Sequence, residues 1–282
     1  MASAPIVEDS LFLENTSTGG GAMMNGKSSE PVIDRTTFRS NSANKGGAVY
    51  SSQSSPSYTN VGFFANRADQ SGGGAAYNQG RGGTSLFTNV TFAGNRSQSS
   101  WGGAMYNDGH NPALMNVAFV ENDANQGGAI FQISFHQEAQ ERTLLTNVTF
   151  AANRAQAGGA IKSLHDSRIE MINAVVWGPG EQLALASNSA EIRHSCLPES
   201  VEADISNIEL EESPFVEEPA QGMDDVWGTV DDVLPFLKSD SLCVDSGDGS
   251  VVPPTVNIDL AGNERFRGTI DRGAYELTES EL

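Results

Sequence analysis

The sequence predicts an all-β fold, a single-stranded right-handed parallel β-helix, on three observations. A Phe-x-x-Asn string and a Gly-Gly-Ala string alternate six times within the first 165 residues. The alanines of successive Gly-Gly-Ala strings lie 26, 27, 29, 25 and 31 residues apart, shorter than the helical pairs of longer-repeat solenoids and suited to one β-helical coil. Thirty glycines and only 18% charged residues in a 282-residue chain point away from helical bundles, whose surfaces need far more Lys, Glu and Arg.

Each element of the coil has a physical reason. The Phe/Asn pairs are Phe12/Asn15, Phe38/Asn41, Phe63/Asn66, Phe92/Asn95, Phe119/Asn122 and Phe150/Asn153, and the six phenylalanines are predicted to form one internal stack. In "LTNVTF" (145–150) strict alternation breaks at Asn147. A left-handed asparagine there turns the strand, so that Leu145 points inward before the corner and Val148 and Phe150 after it. Asn60, Asn89 and Asn116 hold the same place, and such amides hydrogen-bond along a column when coils stack about 4.8 Å apart. "NVT" at Asn89 and Asn147 also matches a glycosylation acceptor, but a repeated corner residue accounts for it better.

The glycine pairs allow a tight turn and close approach of neighbouring coils. The next residue after each alanine is Met23, Val49, Ala76, Met105, Ile130 or Ile161, assigned to the core. The one after that, Met24, Tyr50, Tyr77, Tyr106, Phe131 or Lys162, is assigned to the outside because of its lysine.

The formal charge of −20 excludes nucleic acid as a partner, since phosphate binding needs clustered Lys and Arg. The charge is uneven, with 12 Lys and Arg against 15 Asp and Glu before Cys196 and 4 against 21 from there on. No run of apolar residues is long enough for a membrane helix, and the N-terminus lacks a signal-peptide pattern. The expectation is either a soluble intracellular protein or a processed or excised piece of a secreted one. Cys196 and Cys243 are too few for a disulfide framework, and leave open one bridge in an oxidising compartment or none.

Phe-x-x-Asn alternating with Gly-Gly-Ala in units of this length resembles the β-helical passenger repeats of polymorphic outer-membrane proteins, which are surface-exposed bacterial adhesins. Further on, "INAVVWG" (172–178), "HSCL" (194–197), "SLCVDSGDGS" (241–250) and "NIDLAGNERFRGTIDRGAYE" (257–276) resemble the closing coils of secreted β-helix proteins of the choice-of-anchor type. The resemblance implies a pectin-lyase-like solenoid at the bacterial cell surface or outside the cell. It further implies a fragment, because the secretion signal and the sorting or transporter segment of such proteins are missing from this sequence. Residues 1–195 are predicted to carry the regular coils. Residues 196–282 add degenerate final coils and an acidic closing segment of the same domain. The first coil, without a capping helix, is expected to fray or to meet another copy or a missing domain.

Several residues are candidates for chemistry. Tyr50, Tyr77, Tyr106 and Phe131 form a strip on which sugar rings or a partner's apolar groups stack, unless they stack only on one another. The residues after the repeat asparagines, Thr16, Ser42, Arg67, Arg96, Asp123 and Arg154, read as an ion-pair ladder, with an arginine groove for acidic polysaccharide as the alternative. A lyase of this fold needs a cation or Asn/His beside a uronate carboxylate and a base near the α-proton. His136, His110 and Arg81 are the candidates for those roles, and a solvated loop histidine is the plainer reading. Clustered acids in "GMDDVWGTVDDVLPF" suit a glycosidase or simply a hydrated surface. Asp245, Asp248, Asp259 and Asp271 alternate with glycines, which suits either calcium or Asx-type turns; no other cofactor is expected. The function predicted is a non-catalytic, adhesin-like surface module binding a glycan or a host or neighbouring surface protein along a lateral face. The competing readings are a lyase or hydrolase of acidic polysaccharide, and a structural spacer.

Overall fold

The computed structural model describes residues 4–81, 83–135, 141–186, 190–198, 204–266 and 268–278. The chain winds a parallel β-helix of about 7 turns. Coils are numbered here by the residue at the phenylalanine position, from Phe12 in coil 1 to Phe150 in coil 6 and Val176 in coil 7. Among the described residues the coils stack into three parallel sheets of 13, 5 and 7 strands. The longest strands, Ser57–Phe64, Leu86–Ala93, Ala113–Val120 and Thr143–Ala151, lie side by side in the first sheet. Their register pairs Phe63, Phe92, Phe119 and Phe150 directly.

The phenylalanines form the predicted stack. Ring centroids from Phe12 through Phe38, Phe63, Phe92 and Phe119 to Phe150 are 4.9, 4.9, 4.7, 4.9 and 5.1 Å apart, with planes within 7°. Each contact contributes about 0.5–1.5 kcal/mol beyond burial. Val49, Ala76, Met105, Ile130 and Ile161 line the opposite wall of the same core, as their position after the alanine predicts.

Three kinds of corner turn the chain. At the first, Asn60, Asn89, Asn116 and Asn147 are left-handed (φ 54°, 56°, 54° and 53°). Their amides join in a column: Asn89 Nδ2 donates to Asn60 Oδ1 and Asn116 Nδ2 to Asn89 Oδ1, both at 3.1 Å. At the second corner stand the repeat asparagines, fully buried from Asn41 to Asn153. Asn95 is typical: its Oδ1 accepts from the backbone N–H and Nδ2 of Asn66, each at 3.0 Å, and its Nδ2 donates to Phe63 O at 2.9 Å and Asn122 Oδ1 at 3.0 Å. This ladder satisfies polar groups that burial would otherwise make costly. At the third corner the two glycines do different work. The first is left-handed (φ 67° at Gly102), and a Cβ on the second, Gly103, would overlap the carbonyl of Gly128 in the next coil.

Strands Ile6–Glu8 and Leu11–Leu13 of coil 1 pair in register with coil 2. Strands Cys196–Pro198 and Ile208–Leu210 continue the long sheet beyond coil 7. Among the described residues the acidic segment after them winds no further coil. The described residues of 211–278 fold back as a strap over the outer face of the long sheet. Trp227, Leu234, Phe236, Leu260, Ala274 and Tyr275 pack on Phe64, Ala93, Ala118 and Val120, while Phe215, Leu237 and Cys243 pack on Ala151, Val175 and Leu210. The strap also borrows the asparagine column, since Asn116 Nδ2 donates to Ile258 O at 2.7 Å and Asp248 N–H to Asn173 Oδ1 at 2.8 Å. Cys196 and Cys243 form a disulfide, Cα atoms 6.2 Å apart, that ties strap to coil.

Candidate functional site

The helix has three lateral faces, and the strap occupies that of the long sheet. On the five-stranded face Arg67 pairs with Asp69 at 2.8 Å, Arg96 with Asp123 at 2.7 Å and Arg154 with Glu121 at 3.3 Å. The column of residues after the repeat asparagines is in register there, and Arg96, Asp123 and Arg154 border an open groove of 520 Å³.

The seven-stranded face carries the aromatic column. Tyr50, Tyr77, Tyr106 and Phe131 are in register and point outward, as predicted, but they are only 1–8% exposed. The reason is mutual packing. Tyr77 and Tyr106 stack at 4.6 Å and Tyr106 and Phe131 at 5.3 Å, while Trp101 lies 5.3 Å from Phe131 and Lys45 Nζ sits 4.3 Å over the Tyr50 ring. Rings so close leave no slot for a sugar between them, so the column presents edges and hydroxyls rather than faces. Burial pushes the Tyr106 hydroxyl up to about 12.

Two residues along each strand, a second outward column runs Ser52, Gln79, Asp108, Ile133, Leu164. The tip of Tyr50 leans onto it: Tyr50 OH donates to Gln79 Oε1 at 2.8 Å, and Gln79 Nε2 donates to Asp108 Oδ2 at 3.2 Å. Beyond this column, Gln79, Gly80, Arg81, Asp108, Gly109, Ser134 and Phe135 line a hollow of 270 Å³. Phe135 is 55% exposed, with His165 against it at a centroid distance of 4.3 Å. Trp101 is 41% exposed. The periodic reading missed Gln79, Asp108, Trp101 and Phe135. The signal for the first two was their place one residue past the buried amides of "AYN" and "MYN".

The remaining candidates do not gather. His110 is buried, and its Nε2 accepts from Ser85 N–H at 3.1 Å with Ser85 Oγ 2.9 Å away. Desolvation lowers its pKa to about 4, so the ring is a neutral strut between coils. Arg81 is exposed and lines the hollow; His136 lies outside the described residues. Asp248 and Asp259 shape turns in the strap, and Asp271 joins stretches of it that lie further apart in sequence. Asp259 Oδ1 accepts from Ala261 and Asn263 N–H, Asp271 from Asp245 and Leu277 N–H, and Asp248 from Ser250 N–H. Asp245 and Asp271 also border a cavity of 680 Å³. Among the described residues no three His, Cys, Asp or Glu side chains converge to hold a metal ion.

Residues 35–52, which run from the corner of coil 2 through Phe38, Asn41 and Gly46–Ala48, match the Chlamydia polymorphic membrane protein (Chlamydia_PMP) repeat. No curated protein and no solved structure matches the chain. The chain is thus a β-helix repeat protein resembling polymorphic membrane protein passengers.

Proposed function

We propose that this chain is a surface-exposed module of outer-membrane type that acts without catalysis, adhesin-like, binding a glycan or a protein of a host or neighbouring cell through the seven-stranded face. The observation that carries the reading is the border of that face. A rigid aromatic column is flanked by two exposed rings, Trp101 and Phe135, and by Gln79 and Asp108, which a hydrogen-bond chain from Tyr50 holds in place. Exposed aromatics with pre-set polar neighbours are the composition of binding surfaces. The repeat match supports the cell-surface location.

The test is binding of the purified chain to host-cell monolayers and to a glycan array, with Trp101→Ala/Phe135→Ala as the variant and Arg96→Ala on the five-stranded face as control. The double variant should lose at least tenfold in apparent affinity while the control binds as wild type. Equal binding by the double variant removes the assignment to this face. Release of unsaturated uronides from polyuronate by the wild-type chain overturns the non-catalytic reading.

A further inference from the structure

Phe135 and Asp108 line one hollow, and the chemistry of its walls selects a ligand class. At 270 Å³ the hollow suits one small ring and is too small for a partner's helix or strand. Gly80, Gly109 and Ser134 add small residues to its lining. His165 lies over one face of the Phe135 ring at 4.3 Å and restrains it; the other face of this half-exposed ring offers a negative potential that attracts polarised C–H bonds. Asp108 has about four lone-pair positions, enough for Gln79 and for a vicinal pair of hydroxyls. The Tyr50–Gln79–Asp108 chain fixes these acceptors beforehand, which reduces the ordering cost of binding. Arg81 borders the same hollow but is already engaged within the protein, so a uronate or sialate carboxylate would meet Asp108 on a chain of charge −20.

We infer that the hollow between Phe135, Asp108, Gln79 and Arg81 is a saccharide subsite for a neutral hexopyranose, whose C–H face lies on Phe135 while adjacent hydroxyls donate to Asp108. The inference rests on the reading of this face as the binding surface and names the ligand class.

Saturation-transfer NMR on the full chain tests it, with methyl β-glucopyranoside, methyl β-galactopyranoside, methyl N-acetyl-β-glucosaminide and methyl β-glucuronoside as probes. At least one neutral glycoside should show transfer, strongest at its axial ring protons. Phe135→Ala should abolish the transfer, and Asp108→Asn should weaken affinity about tenfold or more, the effect of losing a charged hydrogen-bond partner. The glucuronoside should bind at least tenfold more weakly. An unchanged thermal midpoint in Phe135→Ala, as its exposure predicts, excludes misfolding. Absence of transfer from every neutral glycoside, survival of transfer in Phe135→Ala, or preference for the glucuronoside would each overturn the subsite. Cell binding that depends on Trp101 and Phe135 without any sugar signal overturns the subsite and leaves the binding face standing. A Phe135-dependent sugar signal without cell binding supports the subsite and removes the adhesive role.

Discussion

The indole of Trp227 lies against the backbone of Gly94, so close that a Cβ on the glycine would overlap Cδ1 and Nε1 of the ring. Two glycines and two rings meet there: Gly94 is the left-handed residue before the repeat Asn95 (φ 63°), and Gly228 beside the tryptophan lies equally close to the Phe64 ring. The strap is therefore keyed to coils 3 and 4 at a defined point.

Gly94→Ala combines a left-handed alanine with overpacking against Trp227, and should destabilise by about 2–4 kcal/mol. Urea unfolding checks the size. Trp227→Ala should instead loosen the strap, giving earlier proteolytic cleavage within residues 211–240 while the far-ultraviolet β signal of the coils persists. Loss of coil structure at the same denaturant concentration would show that strap and coils unfold as one unit.

In the buried ladder, Asn95→Ala leaves the backbone N–H of Asn66 and the carbonyl of Phe63 without their partner. Orphaned buried groups cost about 1–3 kcal/mol each, so a loss of about 3–5 kcal/mol is expected in equilibrium unfolding. Asn116→Ala puts an alanine in a left-handed conformation (φ 54°) and leaves the Ile258 carbonyl of the strap without its donor, so a loss of about 2–4 kcal/mol is expected there as well.

The Cys196–Cys243 bridge spans 47 residues of sequence. In the chain-entropy account, closing a loop of that size stabilises by about 4 kcal/mol at 25 °C. Cys196→Ser/Cys243→Ser should lower the thermal midpoint and, before global unfolding, raise amide exchange in the strap more than in coils 3–6. Uniform exchange would contradict a local role for the bridge.

His110 gives the fold an acid sensitivity. Its folded pKa, about 4 against an ordinary 6.5, means that the unfolded chain binds the proton first as pH falls. The histidine's contribution is fully present above pH 6.5 and is lost between about 6.5 and 4, to at most about 3 kcal/mol. The stability–pH slope in that window should flatten in His110→Gln. A slope that stays the same would place the acid sensitivity elsewhere.

The coils were legible because a period near one coil repeats the same environment: Phe92 and Phe119 occupy equivalent positions, and so do Asn89 and Asn116. What repeats can be read by comparison along the chain. The strap was not legible, since it is aperiodic, yet its footprint was written beside the phenylalanines. Outward positions that carry Thr37 and Arg39 in coil 2 become Ala118 and Val120 in coil 5 and Val175 in coil 7, an apolar outer surface that demands a cover. The aromatic column was legible as a column, but its closure was not, because ring contact across coils depends on side-chain tilt rather than on position. Phe135 lies just past a strand end, where the pattern had already stopped.

The strap also acts as a ruler. Its grip at Gly94 and its anchor at Cys196 sit a set number of windings apart, and each winding adds about 4.8 Å. A whole extra winding inserted ahead of coil 3 would leave both attachment points untouched, whereas one inserted between them would demand a longer belt; growth of this rod is free at one end and metered at the other.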